Sequence, residues 1–465
     1  MRAHEAGALH ADVGHRGPAW LRTPRDVNAL VESLWSTTAE RGADGSLRVG
    51  GVDVRELVAE HGSPLYVLDE ADFRSRARAF REAFSEYDVY YASKAFCCSA
   101  VLRWAIEEGL RLDVCTGGEL AVAQRAGVDP ALLGFHGNNK SLGELGRATE
   151  AGVGRVILDS FEEIERLARI AADRSRRVPV MVRVTAGVEA HTHEYIATAH
   201  EDQKFGFSIS EGDAIEAVHR VLAEDSLELR GLHSHIGSQI FDTSGFEVAA
   251  RRVLAVHAGI GERHGVQLPE LDLGGGFGIA YTTQDDPQEP ATLASGLTAI
   301  VDHECRALGI ARPRLSIEPG RAIVGPSMCT LYSVGTVKPV VLDAGASRLY
   351  VSVDGGLSDN LRTALYDADY SCTLASRTSA ADPVLARVVG KHCEAGDIVV
   401  KDEFLPSDIA AGDLIAVPAT GAYCRSMASN YNHVPRPPVV AVRDGIARVV
   451  VRGETEEDLL RLDVG

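Results

Sequence analysis

The chain has 465 residues, more than one ordinary core holds, so two domains or a large barrel with an appendage are expected. Hydrophobic residues make up 45% and charged residues 24%, the balance of a globular chain rather than a disordered one. With 47 Lys plus Arg against 66 Asp plus Glu, the net charge of −19 speaks against nucleic acid or an anionic membrane as partner, because like charges repel.

Taken in order, residues 1–45 combine Pro, Gly and mixed charge and read as a loosely ordered extension. The stretch Met1–Ala43 lacks the apolar core of a secretory signal. Residues 46–70 carry a β-like run, Ser46–Val54, which has no helical partner and is expected to join a β-domain. A helix-like run at Asp72–Phe84 then opens the region 71–325, where β-rich runs alternate with amphipathic ones. The β-like runs are Asp88–Ala92, Arg111–Cys115, Leu132–His136, Arg155–Leu158, Val178–Thr185, Leu229–Ile236, Glu270–Leu273 and Arg314–Ile317. Helical runs such as Ala100–Glu108, Glu119–Ala126, Leu142–Ala151, Phe161–Ala172 and Ala214–Glu224 lie between them. Several stop at a glycine (Gly109, Gly127, Gly152), as a helix C-cap does. Eight such units predict an α/β fold, a (β/α)8 TIM-like barrel. From 326 to 465 the texture changes to β-branched runs with turn signals, including Asp444-Gly445 between two Val-rich segments. A second, all-β domain of sandwich or barrel type is expected there. No apolar run approaches the roughly 18–20 residues that cross a bilayer. The eight cysteines form no Cys-x-x-Cys pair, so reduced thiols and a cytoplasmic location are expected.

The residues able to do chemistry gather where a barrel keeps its active site. Lys94, Asp113, His136, Asp159, Arg183, His235, Gly274 and Glu318 all fall near the C-terminal end of a β-like run, and in a barrel those ends share one face. Lys94 sits in Tyr90-Tyr91-Ala92-Ser93-Lys94-Ala95-Phe96 among apolar neighbours, where desolvation would make an amine nucleophilic. A snorkelling rim lysine is the alternative. Leu271-Asp272-Leu273-Gly274-Gly275-Gly276-Phe277-Gly278 is a strand breaking into glycines after the seventh unit, a frequent phosphate position in barrels. Glu318-Pro319-Gly320-Arg321 ends the eighth strand and reads either as a structural ion pair or as an anchor for a phosphorylated heterocycle. His233-Ser234-His235 raises a metal reading, disfavoured because paired metal histidines in hydrolase barrels stand on the first strand, not the sixth. His191, His193 and His200 lie in a polar insertion that reads as a solvated loop.

From about Gly62 to Pro437 the sequence resembles the diaminopimelate decarboxylase family, within the fold-type III pyridoxal-phosphate decarboxylases. The resemblance rests on ordered motifs: Tyr-Ala-Ser-Lys-Ala (91–95), His-Gly-Asn-Asn-Lys (136–140), His-Ile-Gly-Ser-Gln (235–239), Gly-Gly-Gly-Phe-Gly (274–278) and Glu-Pro-Gly-Arg (318–321). Further along come Asp-Gly-Gly-Leu-Ser-Asp-Asn-Leu-Arg (354–362), Leu-Tyr (365–366), Gly-Lys-His-Cys-Glu (390–394) and Ser-Asn-Tyr-Asn (429–432). It implies pyridoxal 5'-phosphate as cofactor and no metal. Lys94 would be the lysine that binds the cofactor covalently, His235 the residue stacked on its ring, and Glu318 the partner of its ring nitrogen. Ser238, Gly274, Gly275, Gly276, Gly320 and Arg321 would hold the phosphate with Tyr423 nearby, and Asp113 completes the cofactor set. Arg321, Arg362, Tyr366, Glu394 and Tyr423 would bind meso-diaminopimelate, and Cys393 (or Lys94) would protonate the product carbon to give L-lysine. In related enzymes the Cys-Glu pair reaches the neighbouring subunit's site, which implies a homodimer with shared active sites.

Departures are small: Thr185-Ala186-Gly187 where the family often has Asn-Pro-Gly, Thr116-Gly117 in place of a Ser-containing turn, and Ser234 where Cys is frequent. Three rivals stand beside this reading. A sister decarboxylase for ornithine, arginine or carboxynorspermidine would share Lys94, Glu318 and the glycines. A non-catalytic regulator on the same fold would be expected to lose Lys94 or Cys393, and both are present. A metal-dependent barrel hydrolase is disfavoured by strand position.

Overall fold

The computed structural model describes residues 17–187, 204–341 and 347–465; His191, His193 and His200 lie outside the described residues. The chain divides into two compact units. One comprises Arg74–Ile279 and Pro287–Ile323; the other comprises residues up to Phe73, Ala280–Asp286 and Val324–Gly465.

The first unit is the expected barrel. Its strands are Asp88–Ala92, Arg111–Val114, Leu133–Phe135, Arg155–Leu158, Val178–Thr185, Leu227–His233, Glu270–Asp272 and Arg314–Ile317. Every neighbouring pair is parallel, and Ser316 opposite Asp88 closes the ring. The two-residue strand Phe207–Ser208 adds to the fifth. The strands are short and almost wholly buried, as parallel strands covered by helices must be. The helices are fixed by local signals. Leu142–Ala151 starts on a capping box between Ser141 and Glu144 and stops at Gly152, whose φ of 75° is left-handed. Phe161–Asp173 buries Ile164, Leu167, Ala168 and Ala171, the i, i+3, i+4, i+7 stripe of a core-facing helix. Inside the barrel, Arg155 bonds Asp272 and Ser316 and lies 3.9 Å over the Tyr90 ring, so its buried charge is paired and stacked.

The second unit is built on a β-sheet whose strands run, in spatial order, Ile398–Pro406, Pro383–Val389, Ser347–Val353, Met328–Val341, Leu65–Asp69, Val439–Arg443 and Ile446–Val451. Leu414–Val417 pairs with Met328–Val341 and with Thr373–Leu374. The last two strands of the row form the hairpin signalled by Asp444-Gly445.

Ser46–Val54 falls in this β-unit, as expected, though not in its large sheet. Leu47–Val49 and Val52–Asp53 form a separate three-stranded sheet with Glu40–Arg41, and Asp53 then caps the helix Val54–His61 by accepting from Arg55 N–H at 2.8 Å. The strand that does join the large sheet is Leu65–Asp69, antiparallel to residues 328–331 and parallel to 439–442. The expectation of a loose extension needs correction from Gly17 onward. Leu34 and Trp35 are 1% and 6% exposed, in a core with Leu47, Leu65, Leu331 and Val440. Arg41 also bonds the Leu374 carbonyl at 2.8 Å.

Candidate active site

The C-terminal ends of the barrel strands surround a cavity of about 360 Å3, lined among others by Lys94, Asp113, His136, His233, His235 and Glu318. Lys94 follows the first strand in a turn closed by Ala95 N–H to the Ala92 carbonyl, while Ser93 N–H bonds the Asp113 carbonyl of the second strand. Its neighbours Ala92, Ser93, Ala95 and Phe96 are buried, but Lys94 itself is exposed. Of the two readings of this lysine, desolvated or at a rim, the exposure matches the second, and Lys94 lines the cavity.

At the cavity floor is a compact cluster of titratable groups. His136 Nε2 stands 3.2 Å from Asp113 Oδ1 and 3.2 Å from Glu318 Oε1, and His233 Nε2 stands 3.1 Å from the same Glu318 oxygen. All four residues are buried. Burial opposes charge on Glu318, but His136 and His233 outweigh it and hold the carboxyl well below the usual range. Burial, then Glu318, pushes Asp113 up to about 7. At His136 burial works downward, yet Glu318 and Asp113 lift the imidazole to about 9. At His233 burial prevails and the ring is lowered, hence neutral. The cluster thus keeps a dry anion at Glu318 secured by an imidazolium at His136.

His136, His233 and Glu318 offer ligand atoms within 4.8 Å of one another and could hold a metal ion. They also pair among themselves, and a second demand remains: Glu318 Oε1 and Asp113 Oδ1 are buried without a well-aligned hydrogen-bond donor. An acceptor of this kind fits the protonated nitrogen of an aromatic ring.

Across the cavity, burial and then Lys94 and Arg183 hold His235 well below the ordinary imidazole range, so the ring is neutral. Gly275 N–H donates to its Nδ1 at 3.2 Å, which leaves the ring proton on Nε2. The glycine run is sterically obligatory. A Cβ at Gly274, Gly275 or Gly276 would lie 2.5, 2.3 and 2.5 Å from the carbonyl oxygens of Ser234, Glu318 and Gly237. Such stripped backbone makes a cradle for phosphate. Arg321 Nη2 donates to Ser238 Oγ at 2.7 Å, and a Cβ at Gly320 would meet Ala92 at 3.0 Å. A phosphorylated aromatic aldehyde matches this set: an exposed lysine, a neutral ring face, a buried anion and a glycine cradle.

The remaining expected residues belong to the other unit. Arg362 is buried, donates from Nη1 to Tyr370 Oη at 2.6 Å and lies 4.4 Å over the Tyr281 ring. Tyr366 ends the same short helix, half-buried. Cys393 and Glu394 are exposed, and Tyr423 is half-buried with a left-handed φ of 67°. The structure thus brings Lys94, Asp113, His235, Ser238, Gly274–Gly276, Glu318, Gly320 and Arg321 into one unit, with Arg362, Tyr366, Cys393, Glu394 and Tyr423 in the other. Sequence reasoning gave His136 and His233 no role in charging Glu318. The available signal was the period of two in His233-Ser234-His235, which sends His233 to the barrel interior.

The profile of the family described as "pyridoxal-dependent decarboxylase, pyridoxal binding domain" matches residues 70–325. The sequence is 55% identical over 440 residues to the diaminopimelate decarboxylase of Mycobacterium tuberculosis, covering 94% of this chain and 98% of that one. It is 52% identical to the diaminopimelate decarboxylase of Mycobacterium leprae across the full length of both. The crystal structure of diaminopimelate decarboxylase from M. jannaschii in co-complex with L-lysine matches with a TM-score of 0.86 at 29% identity, over 93% of this chain and 99% of that one.

Proposed function

This chain belongs to the pyridoxal-dependent decarboxylases, and we propose that it removes CO2 from meso-2,6-diaminopimelate to give L-lysine, the last step of lysine biosynthesis. It is a carboxy-lyase that uses pyridoxal 5'-phosphate. The observation that carries the reading is the buried Glu318 anion facing a cavity lined also by Lys94 and His235, with the glycine run packed behind Glu318 and His235.

When bound, pyridoxal phosphate supplies an electron-accepting ring that takes up the pair left by departing CO2. The other duties fall to this chain. Lys94 would be the residue that holds the cofactor through its carbonyl carbon. Glu318, charged because His136 and His233 face it, keeps the ring nitrogen protonated. His235, neutral and fixed by Gly275, covers one ring face and excludes water from it. Gly274–Gly276, Ser238, Gly320 and Arg321 bind the phosphate with Tyr423 nearby, and Asp113 completes the floor. Arg321, Arg362, Tyr366, Glu394 and Tyr423 recognise the far amino-acid group of the substrate, its carboxylate by the cations and hydroxyls and its ammonium by Glu394. Cys393 delivers a proton to the carbon that lost CO2.

Cys393 and Glu394 lie on the surface of the β-unit, which supports a homodimer whose sites each take this pair from the other subunit. Among the described residues no helix is long and apolar enough to cross a membrane. Together with the net charge of −19, this supports a cytoplasmic enzyme without nucleic-acid or membrane partners. The reading is tested by mass detection of lysine and CO2 from meso-diaminopimelate, with ornithine and arginine as controls. Comparable turnover of ornithine would transfer the chain to the sister decarboxylases.

A further inference from the structure

Two motif segments, 354–362 and 390–394, meet at one buried carboxylate to which the proposed chemistry gives no role, that of Asp397. Its Oδ1 accepts from Leu357 N–H at 2.6 Å and its Oδ2 from His392 N–H at 2.7 Å. The backbone is joined at the same place. Gly390 N–H reaches the Asp397 carbonyl at 2.9 Å, Lys391 N–H reaches the Gly355 carbonyl at 2.9 Å, and Asp397 N–H reaches the Glu394 carbonyl at 3.2 Å. Two glycines make the room. A Cβ on Gly356 would lie 2.4 Å from Asp397 Oδ1, and one on Gly390 2.2 Å from Oδ2.

His392 extends the junction outward. Its Nε2 lies 2.8 Å from Ser358 Oγ and its Nδ1 3.3 Å from Asn432 Oδ1. Asn432 Oδ1 also accepts Cys393 N–H at 3.2 Å. Asp397 and His392 are buried, whereas Cys393 and Glu394, immediately beyond, are exposed. Cys393 stands at the apex of a tight turn closed by Glu394 N–H to the His392 carbonyl at 2.8 Å. The segments 354–362, 390–394 and 429–432 are therefore a single knot, whose outer face presents a thiol and a carboxylate.

From this geometry we infer that Asp397, acting with His392, is a positioning residue that fixes the Cys393–Glu394 turn for proton delivery and ammonium binding. A carboxylate suits the task because it accepts two backbone N–H groups at once without donating. An exposed turn held only by its own backbone would wander, and displacement of about 1 Å at a reacting group can cost about a hundredfold in rate.

The inference rests on the reading of Cys393 as the acid, and the experiment separates the two. In the holoenzyme, Asp397→Asn keeps the shape but turns one acceptor into a donor facing an N–H. Expected are a kcat lowered by about tenfold or more, an unchanged visible cofactor band, and a several-fold faster alkylation of Cys393 by iodoacetamide, followed by peptide mass spectrometry. A residue that merely supports the fold would leave the alkylation rate of the folded variant unchanged. Parent-like kcat and alkylation in Asp397→Asn overturn the positioning role. Full activity in Cys393→Ala overturns the acid assignment instead. Should Asp397→Asn yield no soluble protein, Ser358→Ala removes the 2.8 Å contact to His392 and is judged by the same two readings.

Discussion

Glu318→Gln tests the electrostatic core of the site. The substitution keeps the side-chain shape but removes the charge 3.2 Å from His136 and 3.1 Å from His233 in a buried pocket. Breaking a buried ion pair from one side typically costs about 3–5 kcal/mol. Part of that is recovered here, because His136, lifted to about 9 against burial by Glu318 and then Asp113, can release its proton once Glu318 is neutral. The catalytic loss is that of one preorganised charge, about 2.7–4 kcal/mol or 100- to 1000-fold. The substrate's distal groups are assigned to Arg321, Arg362, Tyr366 and Glu394, so the loss is expected in kcat with KM little changed. Initial rates of CO2 and lysine release are measured with the cofactor saturating, and the visible band reports occupancy. A fully loaded Glu318→Gln enzyme whose kcat stays within about tenfold of the parent would refute the reasoning.

Lys94→Ala is expected to lose both the visible cofactor band and activity; an unchanged spectrum would place the covalent attachment elsewhere. Arg362→Ala should lower kcat/KM for meso-diaminopimelate by about 2–4 kcal/mol with the spectrum intact, whereas full activity would remove Arg362 from the substrate site. Mixing inactive Lys94→Ala with inactive Cys393→Ala under proven subunit exchange should restore part of the activity, and no recovery would rule out shared sites. In the cofactor-free protein, His136 is raised from 6.5 to about 9, so its stabilisation is complete below about pH 6.5 and lost as pH rises through 9. Asp113, raised to about 7, loses its contribution in the same direction from lower pH. The melting temperature should therefore fall across this alkaline range, and His136→Gln should flatten the limb between 6.5 and 9; an equally steep fall in the variant would dismiss the His136 contribution.

The barrel was legible because its signals are local. Each strand is a short buried run ending in a polar residue or glycine, and helices such as Leu142–Ala151 carry their own caps. Leu65–Asp69 left no such trace. All five residues are buried, so no alternation marks a solvent face, and its partners lie more than 250 residues away in sequence. Leu34 and Trp35 escaped notice for a related reason: their core joins residues from Leu47 to Val67 with Leu331 and Val440 far along the chain. At Lys94 the apolar sequence neighbours left burial and a rim position equally open, and the turn after the strand puts the exposed lysine on the cavity wall. The residues proposed for the cofactor come from motifs, but the sharing of Glu318 by two histidines emerges only when the third, sixth and eighth strands meet in a closed barrel.

That sharing explains why the site needs more than one acid. Asp113 and Glu318 alone, both buried, would compete for a proton, as neighbouring buried carboxylates do, and the shared proton would weaken whichever acid faced the ring. His136, placed 3.2 Å from each, favours ionisation of both, and His233 on Glu318 adds a second such contact there. Asp113 is driven up toward neutrality while Glu318 stays ionised. His233, lowered by burial, stands 3.1 Å from the same Glu318 oxygen without cancelling its charge. An anion held in this way would suit the protonated nitrogen of a bound aromatic ring, which is the role proposed for Glu318.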